Sequence, residues 1–521
     1  MQLPPTLVDY LIVFVLCVVI FNSVYTRWLK IPPHFPPGPQ RLPLIGNIHQ
    51  IPFEYQQRMF ASWAKHYVTL GDIIYMQLFH KPSIIVDSVR VAQELMEKRA
   101  SKYSDRPQFV MVKDLQPKPS LVFMSWGEKC RRLRKFFQSA LENKAALEGY
   151  RPLQRREIHR LLRDLAQSPM GFMAHVKRYA GAIILEIDYG HRVTSAQDEW
   201  MVYVDHTVDE FTTTGSLAAS LVDFLPLMKH IPSWMPGGGF KKRALIVGAK
   251  VRDMMEIPYR KVQRDMASGC AKPSFMTSLL EKMTQDGCLS AEEEYDIKAS
   301  CLVMYTAGSD TTITSLMTFI LAMVLHPHVL DKAQAEIDRV IGSERLPELD
   351  DREALPYVDC IVKEVYRWNP PVPLGIPHRV MEDDIYRGYV IPGGATIIPN
   401  IWSMGHHTDI YSDPEKFFPE RFEEMDTQTA NQKDPRKFIF GFGKRICPGR
   451  YLADETVWLA IANILATMNI QKCRDPSGQE ITPIPSFKTG IVSQVDPFLC
   501  EIKPRTEKAA NLVGQHNAGD V

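Results

Sequence analysis

From Leu7 to Val24 the chain reads LVDYLIVFVLCVVIFNSV, with an unbroken apolar centre from Tyr10 to Phe21. Rising about 1.5 Å per residue, this run reaches roughly 27 Å, enough to cross a hydrocarbon core. No Lys or Arg precedes it, whereas Arg27 and Lys30 follow closely, so the positive-inside rule places the remainder in the cytosol. Without a basic start or small residues before a cut, the pattern predicts an uncleaved transmembrane signal anchor at residues 7–25, with residues 1–6 on the lumenal side. Six prolines between Pro32 and Pro43 predict a stiff, basic and Pro-rich spacer over residues 26–41. Beyond it, apolar positions recur with helical period over Pro152–Gln167, Tyr295–Leu325, Pro327–Ile341, Leu355–Trp368 and Tyr451–Met468. Shorter β-type runs occupy Ile73–Leu78, Ser83–Asp87, Asp384–Ile398 and Phe498–Ile502. No linker, charge block or repeat interrupts residues 42–505, which read as one large, mainly α body with small β-sheets. The polar residues 506–521 read as a disordered tail. The segment His230–Lys242 breaks helix and sets Trp234, Met235 and Phe240 beside two lysines, which fits a second membrane contact and a plain surface loop equally.

The 521 residues are 45% hydrophobic and 23% charged, which excludes disorder, collagen and coiled coil. With 61 basic and 60 acidic residues the net charge is +1, so nothing global points to nucleic acid and any electrostatic function is local. The cysteines are scattered singly with no C-x-x-C pair, the pattern of reduced thiols in a reducing compartment. The absence of any N-x-[ST] sequon agrees.

One cysteine stands apart. Phe440 to Gly449 reads F-G-F-G-K-R-I-C-P-G and precedes an apolar helical run. Pro448 favours the first helical position, which puts Cys447 at or beside the N-cap, where unpaired N–H groups and the helix dipole favour thiolate. Gly441, Gly443 and Gly449 let backbone amides approach that sulfur. Such a sulfur suits a soft metal. No second ligand stands at zinc spacing, so the remaining ligands come from elsewhere, and a porphyrin supplies four nitrogens. Further upstream, A-G-S-D-T-T at Ala307–Thr312 lies inside a long apolar helix. There Thr311 can bond the Ala307 carbonyl four residues back and open a groove, with Asp310 offering a carboxylate for proton relay.

The cysteine segment resembles F-x-x-G-x-R-x-C-x-G, the haem-binding signature of the cytochrome P-450 monooxygenases. The resemblance implies the cytochrome P-450 fold, a single large haem domain behind the anchor, with Cys447 as axial iron ligand. It further implies Arg445 at a haem propionate, Phe440 packed beneath the haem, and Gly443 in the cofactor loop. Asp310 and Thr311 resemble the family's pair that delivers protons for O–O cleavage. E-V-Y-R at Glu364–Arg367 and P-E-R-F at Pro419–Phe422 resemble the elements that join Glu364, Arg367 and Arg421 into a buried charge network. The run Trp126–Lys135 resembles the family's C-helix and assigns Arg134 to a propionate, although Cys130 stands where tryptophan is usual. P-H-R at Pro377–Arg379 resembles the family's segment that supplies another propionate contact, which implies that role for His378 in preference to Arg379.

These resemblances imply haem b as cofactor, O2 as co-substrate, and electrons from NADPH through a partner reductase, with cytochrome b5 as a further donor. Five of the eight residues from Glu128 to Lys135 are basic, and with Lys444, Arg445 and Arg450 they form a candidate docking patch for that acidic reductase. The expected setting is the endoplasmic reticulum membrane, single-pass, with the catalytic body in the cytosol. The expected reaction is hydroxylation or epoxidation of an apolar intermediate of fungal secondary metabolism, terpenoid or aromatic polyketide. Phe109, Val110, Met304, Ala307, Val372, Leu374 and Ile491 are candidate pocket residues. A haem-thiolate isomerase or dehydratase acting on a peroxide without a reductase is the alternative, and a haem sensor a more distant one.

Overall fold

The computed structural model describes residues 34–515 except 68–71, 111–120, 196, 205–206, 208–220, 236–237, 285–288, 427 and 430–432. The anchor expected at residues 7–25 and the first part of the spacer lie outside these residues. The body expected as one piece over 42–505 forms two compact units. The smaller comprises the chain to Pro107 with Pro377–Asn400, and the larger Gln108–Ile376 with the chain from Ile401. Sequence does not announce this division, because no linker composition marks the crossings.

The smaller unit holds helix α1 (Gln56–Tyr67) and a four-stranded sheet ordered β1-β2-β6-β3. The apolar run Ile73–Leu78 is β1, buried throughout and paired antiparallel with β2 (Lys81–Val86), Ile74 opposite Ile85. β6 (Thr396–Pro399) runs parallel to β2, and β3 (His378–Arg379) antiparallel to β6, with His378 opposite Ile397. β4 (Asp384–Tyr386) and β5 (Tyr389–Ile391) form a hairpin through Arg387 and Gly388, whose φ of 51° and 83° match strand twist.

The larger unit is helical: α2 (Glu128–Leu141), α3 (Lys144–Gln167), α4 (Phe172–Tyr189), α5 (Gly239–Ala267), α6 (Phe275–Thr284), α7 (Ala291–Leu325), α8 (Pro327–Val340), α9 (Pro356–Trp368), α10 (Arg436–Ile439), α11 (Arg450–Thr467) and α12 (Glu507–Gln515). Two strand pairs accompany the helices: β7 (Met468–Gln471) pairs with β10 (Glu501–Pro504), and β8 (Cys473–Arg474) with β9 (Glu480–Ile481). The core is built around α7, which packs along α4 and against α5, α6, α9 and α11. α7 is long and apolar enough to cross a membrane, but most of its apolar stretch is enclosed by its neighbours, as in a core helix. It begins at Ala291 because Ser290 and Glu293 form a capping box.

Two expectations change. The segment after Arg505 is not disordered over Glu507–Gln515: Thr506 Oγ1 accepts the Ala509 N–H, and Ala509 and Val513, one turn apart, are buried as α12 packs on α3 and α11. α3 starts at Lys144 rather than Pro152, because the Asn143 side chain caps Ala145 and Ala146 and the helix accommodates Pro152 internally.

Candidate active site

The cysteine loop lies in the larger unit between α10 and α11. Phe440 ends α10, and its carbonyl accepts the Cys447 N–H at 2.8 Å, which closes the intervening residues into a tight loop. Gly441 and Gly443 have φ of 77° and 55°, left-handed values that favour glycine, and Gly443 opens a 3-10 turn to Arg445. Gly449 caps α11, so Cys447 sits two residues before the cap rather than at or beside it, with the Pro448–Gly449 turn between. Burial pushes the Cys447 thiol up, against the lowering effects of the Gly449 N–H and the Arg134 and Arg450 charges. The thiolate preference expected from a helix end is therefore overridden by burial. A bound metal cation restores it, because coordination deprotonates a thiol outright.

Two buried arginines secure the loop, Arg445 from within it and Arg134 from α2. Arg445 donates to the carbonyls of Leu121 (3.4 Å) and Met124 (2.6 Å) and to the Cys130 sulfur at 3.1 Å, and lies 5.2 Å over the Trp126 ring. Cys130, fully buried on α2, thus holds Arg445 where the family's usual tryptophan would stand. Arg134, also on α2, donates to the Ile446 carbonyl at 2.7 Å, next to the cysteine. Among the described residues no carboxylate forms an ion pair with Arg134, and burial lowers its pKa. A buried guanidinium in that state is costly unless an anion joins it. The arrangement therefore fits a group carrying carboxylates. Among the described residues no cluster of three or more His, Cys, Asp or Glu side chains is placed to hold a metal. Cys447, Arg134 and Arg445 together suit haem.

On α7 the side chains of Thr306, Ser309, Thr311, Thr312, Thr314 and Ser315 all bond the carbonyl four residues back, Thr311 Oγ1 to Ala307 at 2.7 Å. The helix nonetheless runs unbroken, so the expected loosening does not occur. What distinguishes the segment is exposure: Ala307 is exposed and Val303, Asp310 and Thr311 are half-buried, whereas Thr312 to Val324 are buried. Gly308 has a packing reason instead. A Cβ there would stand 2.9 Å from Ile184 Cδ1 on α4, so glycine permits the close approach of the two helices.

Glu364, Arg367 and Arg421 form the network that their motifs imply. The Glu364 carboxylate accepts from Arg367 Nε and Nη2 at 2.7 and 2.8 Å, from Arg421 Nε at 3.1 Å, and from the Phe418 N–H at 2.7 Å. Arg367 also bonds the carbonyls of Gly405, Pro414 and Lys416, so α9 fixes the loop from Gly405 to Arg421.

His378 belongs to the smaller unit, where its Nδ1 meets the Tyr103 carbonyl at 2.7 Å, while Arg379 is engaged by Asp105 at 2.8 Å. Of the candidate pocket residues, Met304 is part of the core, Phe109 meets Phe123 edge to face at 6.3 Å, and Val110 packs near Val222 and Ala244. Val372, Leu374 and Ile491 are half-buried. The basic patch is smaller than the sequence implies. Lys129 pairs with Glu292 and Asp296, Arg132 with Asp296, and Arg450 with Glu142, leaving Arg131, Lys135 and Lys444 as exposed cations outside those pairs. The setting of Arg445 is not legible in the sequence: its partners at 121–130 lie more than three hundred residues away, and the W-G-x-x-C run is the one local signal of them.

The cytochrome P450 family model matches residues 36–500. Cytochrome P450 monooxygenase 176 of Postia placenta is 56% identical over 481 residues, 92% of each chain. Cytochrome P450 monooxygenase 136 of the same fungus is 46% identical over 518 residues, 99% of this chain and 97% of its own. Cytochrome P450 monooxygenase claR of Ampulloclitocybe clavipes is 38% identical over 480 residues, 92% and 88%. With this breadth of match joined to the cysteine loop and its buried arginines, the chain belongs to the cytochrome P450 family as a haem-thiolate monooxygenase of fungal type.

Proposed function

We propose that Cys447 would be the sulfur ligand of haem b, and that the enzyme hydroxylates or epoxidises an apolar small molecule, a terpenoid or aromatic polyketide intermediate of fungal secondary metabolism. The observation that carries the ligand assignment is the pairing of the glycine-bounded cysteine loop with two buried arginines at its edge. Haem, when bound, supplies the redox chemistry at its iron. Arg134 and Arg445 would hold its propionates, and Phe440 and Gly443 would shape the loop around the sulfur. Thr311 has committed its hydrogen to Ala307, so its oxygen is left as an acceptor, and with Asp310 beside it holds and moves protons at that hydroxyl. The half-buried apolar residues Val372, Leu374 and Ile491 support an apolar substrate.

Electrons come from NADPH through a membrane-bound cytochrome P-450 reductase, with cytochrome b5 as auxiliary donor, docking at Arg131, Lys135 and Lys444. Residues 7–25 anchor the chain in the endoplasmic reticulum membrane with the body in the cytosol. Leu227 and Trp234, 83% and 81% exposed near Lys241 and Lys242, support a second membrane contact. The test is the spectrum of the reduced protein under carbon monoxide. A thiolate-type, red-shifted Soret band is expected, lost in Cys447→Ser; a haem-loaded protein without that band overturns the assignment.

A further inference from the structure

A second charge network, outside the Glu364 motif, surrounds the cysteine loop. Arg436 opens α10, the segment entering the loop. Its guanidinium reaches Asp434 at 2.6 Å beside it, Asp359 of α9 at 3.1 Å through both Nη atoms, and Asp454 of α11 at 3.5 Å. Arg352 joins the same two carboxylates, Asp359 at 2.7 Å and Asp454 at 2.8 Å, and Lys363 adds a contact to Asp359 at 3.1 Å. Asp454 stands in the first turns of the helix that leaves the loop. The two flanks of Cys447 are thus tied to one pair of carboxylates. Tyr366, buried on α9 beside Asp454, meets the Phe440 ring edge to face at 6.0 Å.

We propose that Arg436 is a positioning residue of the cysteine loop, its guanidinium spanning entry segment, exit helix and α9 so that the Cys447 sulfur is held at a fixed place. Bonds from the Cys447, Arg445 and Ile446 N–H groups set the loop's own shape, and Arg134 holds its Ile446 carbonyl from α2, whereas its placement against α9 and α11 depends on how the segment entering it is fixed. Only a planar fork spans three carboxylates in this way; a lysine is a point charge and cannot.

The experiment compares haem-loaded Arg436→Lys with the parent and with Arg178→Lys, which disturbs a buried pair with Glu157 between α3 and α4, a pair whose carboxylates are not those of Arg436. Amide hydrogen exchange over residues 440–449 is expected to rise about tenfold in R436K and to stay at the parental rate in R178K. The share of the carbon monoxide complex in the thiolate-type band after mild warming is expected to fall in R436K alone. Equal behaviour of the two variants overturns the proposal. Should R436K not accumulate with haem, R352K loosens the same two carboxylates and is judged by the same two results. The proposal rests on Cys447 as ligand, but exchange does not: a parent without the thiolate band refutes the ligand, while loop exchange still decides the clamp.

Discussion

Thr311 donates its hydroxyl hydrogen to the Ala307 carbonyl at 2.7 Å from a half-buried position, whereas its neighbour Thr312 makes the equivalent bond to Gly308 while buried. Two adjacent threonines with the same local bond therefore differ in access, which is why the proposed proton relay falls to Thr311 and not to Thr312. A positioned acid–base group contributes about 10²–10⁴-fold, so Thr311→Ala should cut product per NADPH consumed by at least about tenfold and raise peroxide release. Thr311→Ser can keep the bond and should keep most coupling, as should Thr312→Ala. The ratio of product to NADPH consumed is the measurement. Full coupling in T311A would place the relay elsewhere, whereas product formed from a peroxide with no NADPH consumed, in parent and variant alike, would be the behaviour of an enzyme that rearranges a peroxide.

Glu364 is the anion that two buried arginines share, and Glu364→Gln keeps its shape while removing its charge. Breaking such a group typically costs about 3–5 kcal/mol, because the partner charges stay buried. That is a large part of the stability of an ordinary domain, so the variant should lose most of its haem-loaded yield and unfold at markedly lower urea. A loss below about 1 kcal/mol would mean that the carbonyls of Gly405, Ser412, Pro414 and Lys416 hold the arginines largely by themselves.

Elements with one strong period are legible from the residues alone: Ile73–Leu78 is β1 to the residue, and α8, α9 and α11 begin and end within about a residue of the apolar pattern. α4 is not legible in that way. Its residues Tyr179 to Ile187 are buried on nearly every face but Glu186, so no polar side gives a helical stripe, although Gly190 at φ 69° marks its end. The start of α7 is encoded in the Ser290–Glu293 capping box, ahead of the point where the apolar run begins. At the site, Cys447 and the Glu364 network follow from short motifs. The acidity of Cys447 and the cage of Arg445 depend on burial and on partners brought from Leu121, Met124 and Cys130, which no local pattern encodes.

Docking should depend on a few cations only. Lys129 and Arg132 are engaged by Asp296, so reversing them disturbs α7 as well as the surface. Arg131 and Lys135 are exposed on α2, and Arg131→Glu with Lys135→Glu should weaken reductase-supported turnover while leaving the carbon monoxide spectrum and peroxide-driven product formation unchanged. The loss should shrink as ionic strength rises, since exposed charges are screened over about 10 Å at 0.1 M salt. Turnover insensitive both to the double reversal and to salt would move docking to another face.

Asp188 lies fully buried on α4, facing the Cys301 thiol of α7, with Tyr189 and Tyr150 nearby, and burial pushes its carboxyl well above the ordinary range. The unfolded chain releases this proton near pH 4, whereas the folded protein keeps it to higher pH. Between those two values the unfolded state binds fewer protons, so stability falls as pH rises, by up to about 1.4 kcal/mol per pH unit from this one group. Asp188→Asn cannot ionise and should remove that part of the slope. It should therefore match the parent near pH 4 and exceed it at pH 7, read as urea midpoints across that range. Parallel slopes in parent and variant would mean that Asp188 is ionised in the fold, and that its neighbours supply hydrogen bonds strong enough to outweigh burial.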